Sequence, residues 1–161
     1  MKEIDNQGLL IAYVVSNIVG ILILLIAWKW RRLTRISFVL LFGGACCFNL
    51  AEAAKHPEVY VSYASLSIPL YREFIEGWFK DHVTIMVSVI AIGQGIIALG
   101  MLLKGIWVKL ACIGIIIFLL GIAPLGIGSA FPFSITVSVA AWLIMRRDNN
   151  DYIWNAPVKA V

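Results

Sequence analysis

Leu110–Met145 reads LACIGIIIFLLGIAPLGIGSAFPFSITVSVAAWLIM, a run without a single charged side chain. It is roughly 16 residues longer than the ~20 that one transmembrane helix requires. Its middle, GIAPLGIGSAFPF, carries Pro124, Gly126, Gly128 and Pro132, residues that stop helices or turn the chain. Two apolar helices meeting at a turn fit this run better than one long helix, and they are expected at about 106–125 and 130–145. The bend is expected near the far membrane interface. A re-entrant turn over 121–133 stays open wherever protein covers its backbone.

Towards the N-terminus the same reading gives three more spans, at about 8–28, 36–54 and 83–103. Gly8–Ala27 is uncharged and is closed by Trp28-Lys29-Trp30-Arg31-Arg32, an aromatic and basic interface anchor. The second span carries Gly43-Gly44-Ala45 and ends before Pro57, and the third carries Gly93, Gly95 and Gly100, small residues that let helices approach closely. The expected fold is therefore an all-α integral membrane bundle of five transmembrane helices, with residues 1–161 as a single membrane domain.

Composition agrees with this fold class. Hydrophobic residues make up 61% of the 161, charged residues 14%, and the mean hydropathy is +0.94. A soluble core of this length cannot hide so much apolar surface. The runs are continuous and do not alternate, which selects helices over a barrel. The net charge of +4 comes from short basic clusters beside apolar runs; these are topology signals, and nucleic acid is not an expected partner. Cys46, Cys47 and Cys112 all lie in apolar runs and read as packing residues. A cleavable signal is not expected, since MKEIDNQ has one Lys and two acids and the apolar run that follows is long.

Orientation follows from the basic residues. With the Trp28–Arg35 loop cytoplasmic, Lys29, Arg31, Arg32, Arg35, Lys104, Lys109, Arg146, Arg147 and Lys159 fall inside, and Lys2, Lys55, Arg72 and Lys80 outside. The N-terminus is thus expected outside and the C-terminus in the cytoplasm. A single crossing over Leu110–Met145 would move Arg146 and Arg147 outward and weaken the bias.

Residues 55–82 form the sizeable outer segment. Within it PLYREFIEGWFK, Pro69–Lys80, reads as a short interfacial helix with proline at its first position. Arg72, Glu76 and Lys80 follow at i, i+4 spacing that permits ion pairing on a polar face, opposite Leu70, Phe74, Ile75 and Trp78. Such a helix either lies on the lipid surface or covers a pocket in the bundle.

The candidate site residues lie near this segment. Asn49, Glu52 and His56 recur at i, i+3 and i+7, one helical stripe at the outer end of the second span. Glu52 stands about 24 Å along that helix, near the outer interface. There it can pair with Lys55 or His56 at headgroup level or serve a wet pocket as a polar or proton-handling acid. Gln94 sits near mid-membrane between two glycines, where an amide must find a partner helix or a ligand. Asn17 is its counterpart in the first span. Glu52, His56, Asp81 and His82 fall on one side of the membrane, but with no His pair at i, i+4 and no Glu-x-x-His repeat a metal site is not expected.

From Ile36 to Met145 the layout resembles the DoxX-like membrane proteins, a group of small four-helix bundles. The resemblance is carried by the Gly-rich run into FNLAEAAKHPEVY, by SIPLYREF, by IAIGQGIIALGMLLKGIWVKLA and by the final apolar hairpin. Where such proteins often carry an acid early in the second core helix, this chain has Gln94. The resemblance implies a four-helix core plus an added N-terminal helix, a bacterial cytoplasmic (inner) membrane, and in some cases an accessory or quinone-linked redox subunit. It further implies a hydrophobic ligand, a quinone or a lipid, entering between the second and third spans with Glu52 and Gln94 as polar contacts and the interfacial helix as cover; with Asn49 and His56 from the stripe, these make the candidate ligand-binding set. No catalytic constellation is recognisable. Two other functional classes remain: a small transporter or channel protomer, and an assembly or structural factor whose glycine-rich faces hold a membrane protein partner or a second copy of the chain.

Overall fold

A bilayer solvates apolar side chains but leaves backbone polar groups without partners, so a chain this apolar must close its hydrogen bonds within helices. The computed structural model describes residues 2–147 and 151–155, with side chains from Gln7 onward. Lys159, counted above among the inner cations, lies outside the described residues, as does the side chain of Lys2. The order is α1 (Lys2–Lys29), α2 (Arg31–Lys55), α3 (Glu58–Ser62), α4 (Pro69–Glu76), α5 (Val83–Leu102), α6 (Ile106–Ile122) and α7 (Phe133–Arg147). Short 3-10 turns cover Tyr63–Leu66, Phe79–Asp81 and Ala123–Ser129. No strand occurs among the described residues.

Four helical stretches are long and apolar enough to cross a membrane: Gln7–Lys29, Arg31–Lys55, Val83–Leu102 and Ile106–Ser129. Between 11% and 33% of each is buried inside the protein. Most of their apolar surface therefore faces outward, which lipid accepts and water does not. The fifth helix, α7, has 15 residues, about 22 Å at 1.5 Å per residue.

The five long helices close into a ring in which α1 packs on α7, α7 on α6, α6 on α5, α5 on α2 and α2 back on α1. Phe38, Met101, Ile115, Val137 and Ile144 fill its centre and are fully buried. The α2–α5 seam is the most extensive. Small residues make these approaches close: a methyl group at Gly95 would come within 3.1 Å of Cys46 Sγ, and one at Gly100 within 2.9 Å of Ala111 Cβ.

One end of the ring collects Lys29, Arg31, Lys104 and Arg147. The loop expected over 28–35 is there a corner made by Trp30 alone. The Trp30 N–H bonds the Ile26 carbonyl at 2.7 Å, and both the N–H and the hydroxyl of Thr34 bond the Trp30 carbonyl at 3.0 Å. Helix α2 thus begins at Arg31 and not at Ile36, because its first turn is closed by the corner itself. Arg35, expected in the loop, is fully buried. Its guanidinium donates to the Met101 carbonyl at 2.7 and 3.1 Å, to Leu103 at 2.6 Å and to Asp151 at 2.7 Å. The Met101 and Leu103 groups are orphan carbonyls at the C-terminus of α5, which a charged donor satisfies well.

At the other end, the helix expected over 69–80 stops at Glu76. The Gly77 N–H closes on the Glu73 carbonyl at 2.9 Å, and a side chain at 77 would meet that carbonyl at 2.8 Å, so the chain leaves the helix where only glycine fits. Arg72 turns to the Ala64 carbonyl at 3.2 Å, and among the described residues no ion pair joins Arg72, Glu76 and Lys80.

Gly100→Val should lower stability in detergent by about 1–3 kcal/mol, because the added carbons overpack the α5–α6 contact. Gly44→Val, where a new Cβ meets nothing within 4 Å, should stay within about 0.5 kcal/mol of the parent. Equal loss in both variants in a denaturant-unfolding series would show that the close contact is not what limits position 100.

Candidate functional site

Helix α7 starts low in the bundle because the α6–α7 turn is anchored to the middle of α1. The Asn17 amide donates to the Tyr13 carbonyl at 2.9 Å and to the Ala130 carbonyl at 3.0 Å. Ala130 itself holds a left-handed conformation, φ 53°, which costs a non-glycine residue roughly 1–2 kcal/mol. Helix α2 runs on to Lys55 and stands well above this turn, leaving space between α2, α5 and α6 at the outer end.

The outer segment roofs that space. The Ile68 N–H bonds the Pro124 carbonyl at 3.2 Å, the Tyr71 hydroxyl donates to the Gly121 carbonyl at 2.6 Å, and the Tyr63 ring lies so close over Gly128 that a Cβ there would meet it at 2.8 Å. Phe74 packs against Phe79 and Trp78, and Trp78 stacks on His82 with ring centres 4.3 Å apart. Beneath the roof lies a chamber of about 330 Å³, walled by Tyr60, Tyr63, Phe79, Met86, Phe118 and Leu125 among others, with Asn49 at its side. Clefts of roughly 300–1,000 Å³ with few polar groups are the usual size of small-molecule sites.

Its polar groups form a chain. The Tyr60 hydroxyl donates to Asn49 Oδ1 at 2.9 Å, and Asn49 Nδ2 donates to Gln94 Oε1 at 2.9 Å. Gln94 is buried behind Asn49 and fixes the amide that faces the chamber. A primary amide has two N–H donors, and the second on Asn49 has no partner among the described residues. The same holds for the Tyr63 hydroxyl. Two donors on an apolar wall suit a ligand that brings oxygen acceptors.

Of the four site residues expected from the sequence, the structure brings Asn49 and Gln94 into contact. Glu52 is half-buried and has no ion-pair partner among the described residues; its charge acts on the neighbouring tyrosines. His56 does not join them. It is exposed and faces Glu58, Nδ1 to Oε1 3.6 Å, because α2 ends there and Pro57 redirects the chain. Among the described residues no three His, Cys, Asp or Glu side chains lie close enough to share a metal ion.

Tyr60 and Tyr63 were not anticipated. Their spacing in VYVSYAS, three residues apart, places two hydroxyls on one face of a helical turn and is the signal that points to them. Burial pushes both phenols above the ordinary tyrosine value; the neighbouring Tyr63 adds to the effect on Tyr60, and the Glu52 charge adds to it on both. Both therefore stay protonated donors at neutral pH. Comparison with known protein families, curated proteins and solved structures gives no match.

A raised folded-state value means that the stability contributed by these phenols is complete below about pH 10, the unfolded value, and is lost as pH rises through the folded one. An ultraviolet phenolate titration should therefore show tyrosines ionising later in the folded protein than in denaturant. Glu52→Gln should bring that delayed phase to lower pH, since it removes a negative charge beside both rings. A titration unchanged by the substitution would place the Glu52 carboxylate away from them.

Proposed function

We propose that this chain is a small multi-pass membrane protein that holds an apolar, oxygen-bearing ligand, of quinone or lipid-ester type, in the roofed outer chamber, as a ligand-binding or accessory subunit. The observation that carries the reading is the pair of unpartnered donors, the second Asn49 N–H and the Tyr63 hydroxyl, in an aromatic cavity of about 330 Å³. Quinones and acyl esters offer carbonyl oxygens on apolar bodies, which is the complement of such a wall. The DoxX-like layout, which implies a quinone-linked or accessory role, points the same way and remains a resemblance.

The transport alternative has less behind it. Below Gln94 the ring is filled by Phe38, Phe42, Met101, Ile115 and Val137, all buried, and among the described residues no side-chain hydrogen bond carries the Tyr60–Asn49–Gln94 chain past Gln94 towards the basic end.

The reading includes a fivefold crossing. Helix α7, at about 22 Å, is short for a hydrocarbon core of roughly 30 Å, but its upper end lies under the roof, where protein replaces lipid. Its lower end carries Arg146 and Arg147 beside Lys29 and Arg31, so the cytoplasmic assignment of that end follows from the distribution of basic residues. Helix α4 sits at the opposite interface, with Ile75 buried and Leu70 and Phe74 exposed towards the level of the lipid headgroups.

Native mass spectrometry of the protein in mild detergent, with solvent extraction of what co-purifies, should find a quinone or lipid that is lost in Asn49→Leu and in Val87→Phe, which fills the chamber, while both variants keep their helix content. An empty parent protein, or a ligand retained equally by both, would count against the chamber. For orientation, an impermeant thiol reagent applied to intact cells should label Ser65→Cys and spare Asn155→Cys in a background free of other cysteines. Labelling of Asn155→Cys from outside would remove the fifth crossing.

A further inference from the structure

The basic end of the bundle contains a second cleft, of about 460 Å³, lined by Trp28, Lys29, Arg31 and Arg147. It lies where the ends of α1 and α7 meet the start of α2, on the face opposite the chamber. Arg31 donates from Nη1 to the Arg147 carbonyl, which closes an orphan group of the last turn of α7 and fixes the Arg31 head at the cleft. The Arg147 guanidinium sits over the Trp28 ring at 4.2 Å and the Lys29 ammonium over Trp30 at 5.6 Å.

Three cations thus converge on one cleft, and none has a carboxylate within ion-pair distance among the described residues. Aromatic faces hold two of them, an arrangement that leaves the N–H donors of Arg147 available. Like charges this close repel, and the arrangement becomes favourable when an anion enters between them. The two helices whose ends line the cleft carry exposed apolar side chains, Leu25 and Trp28 on α1 and Val139 and Trp142 on α7. These suit an occupant with a charged head and apolar chains.

We propose that the Trp28–Lys29–Arg31–Arg147 cleft binds the phosphodiester headgroup of an anionic phospholipid of the leaflet at the basic end. Arg31 and Arg147 supply guanidinium forks to the phosphate oxygens, Lys29 adds a point charge, and Trp28 packs at the glycerol level. This differs from the general attraction of basic residues to a negative leaflet because the two arginines are held in place by a helix-end carbonyl and an indole ring. The site is independent of the outer chamber.

The test is native mass spectrometry of the full chain in mild detergent, titrated with phosphatidylglycerol or phosphatidylcholine. Phosphatidylglycerol should bind at least tenfold more tightly. Each cation near an anionic lipid is worth about fivefold in affinity, so Lys29→Gln with Arg147→Gln should weaken phosphatidylglycerol roughly 25-fold. Lys29→Arg with Arg147→Lys, which keeps both charges and guards against a folding defect, should recover most of that loss. Lys55→Gln with Lys80→Gln, at the opposite end, should change binding less than twofold. Equal affinity for both lipids, undiminished binding in the Gln pair, or an equal loss from the outer pair would overturn the assignment. Millimolar inorganic phosphate should leave the lipid in place; displacement of the lipid by phosphate would assign the cleft to a soluble anion.

Discussion

The shortness of the α6–α7 hairpin governs the outer half of this protein. Its turn is fixed where the Asn17 amide meets the Ala130 carbonyl, twelve residues before the end of α1 and so about 18 Å from the basic end. A hairpin that stops there leaves the upper parts of α2 and α5 without a neighbour and its own turn without solvent. Backbone in that position must be covered by protein. The segment from Pro57 to His82 supplies the cover, and the bonds from Ile68 to Pro124 and from Tyr71 to Gly121 are the backbone groups of the turn finding partners. The chamber is what remains because a roof of short helices cannot fill the space as densely as a full-length helix would.

The basic end is built on the opposite principle. The α1–α2 corner spans one residue, and Arg35 uses its donors on carbonyls of α5 and of the 151–155 segment. Burying an arginine costs several kcal/mol unless its donors are satisfied, and few structures satisfy them as well as a helix terminus with free carbonyls. The arrangement locks α2 to α5 along their broadest seam. It also explains why α5 can end beside Lys104 and Gly105, with Gly105 at φ 61° taking the turn into α6.

How much of this was legible depended on the range of the interaction. Helical class and membrane-crossing stretches follow from continuous apolar runs, a property of solvation that needs no knowledge of neighbours. The turn in Leu110–Met145 was readable from Pro124, Gly126 and Pro132, because proline and glycine act locally. The start of α2 was misread because charged residues were assigned to a loop, and the burial of Arg35 is made tolerable by carbonyls far away in sequence, those of Met101, Leu103 and Asp151 among them. The Asn49–Gln94 contact was within reach, since two amides in facing spans each need a partner. Tyr60 and Tyr63 were legible only as two hydroxyls on one face of a turn, since nothing in VYVSYAS reveals that the hairpin beneath them stops short and makes them a chamber wall.

These two ends divide the labour of a very small bundle. At the basic end, directional bonds from Arg35, Thr34 and Arg31 close every helix terminus they reach, so that end is well suited to hold a fixed position against a charged leaflet. At the outer end, aromatic packing replaces directional bonds over much of the roof, and a handful of hydrogen bonds hold it to the turn. Aromatic contacts are individually weak and tolerate small displacements. Strain is placed accordingly: Ala130, a left-handed alanine, sits at the hairpin tip under the chamber, and the hydrogen bond from Asn17 is what offsets its cost. A ligand entering beneath Tyr60 and Tyr63 would therefore press on the part of the protein held by its weakest contacts, while the Arg35 bonds that tie α2 to α5 lie at the opposite, basic end.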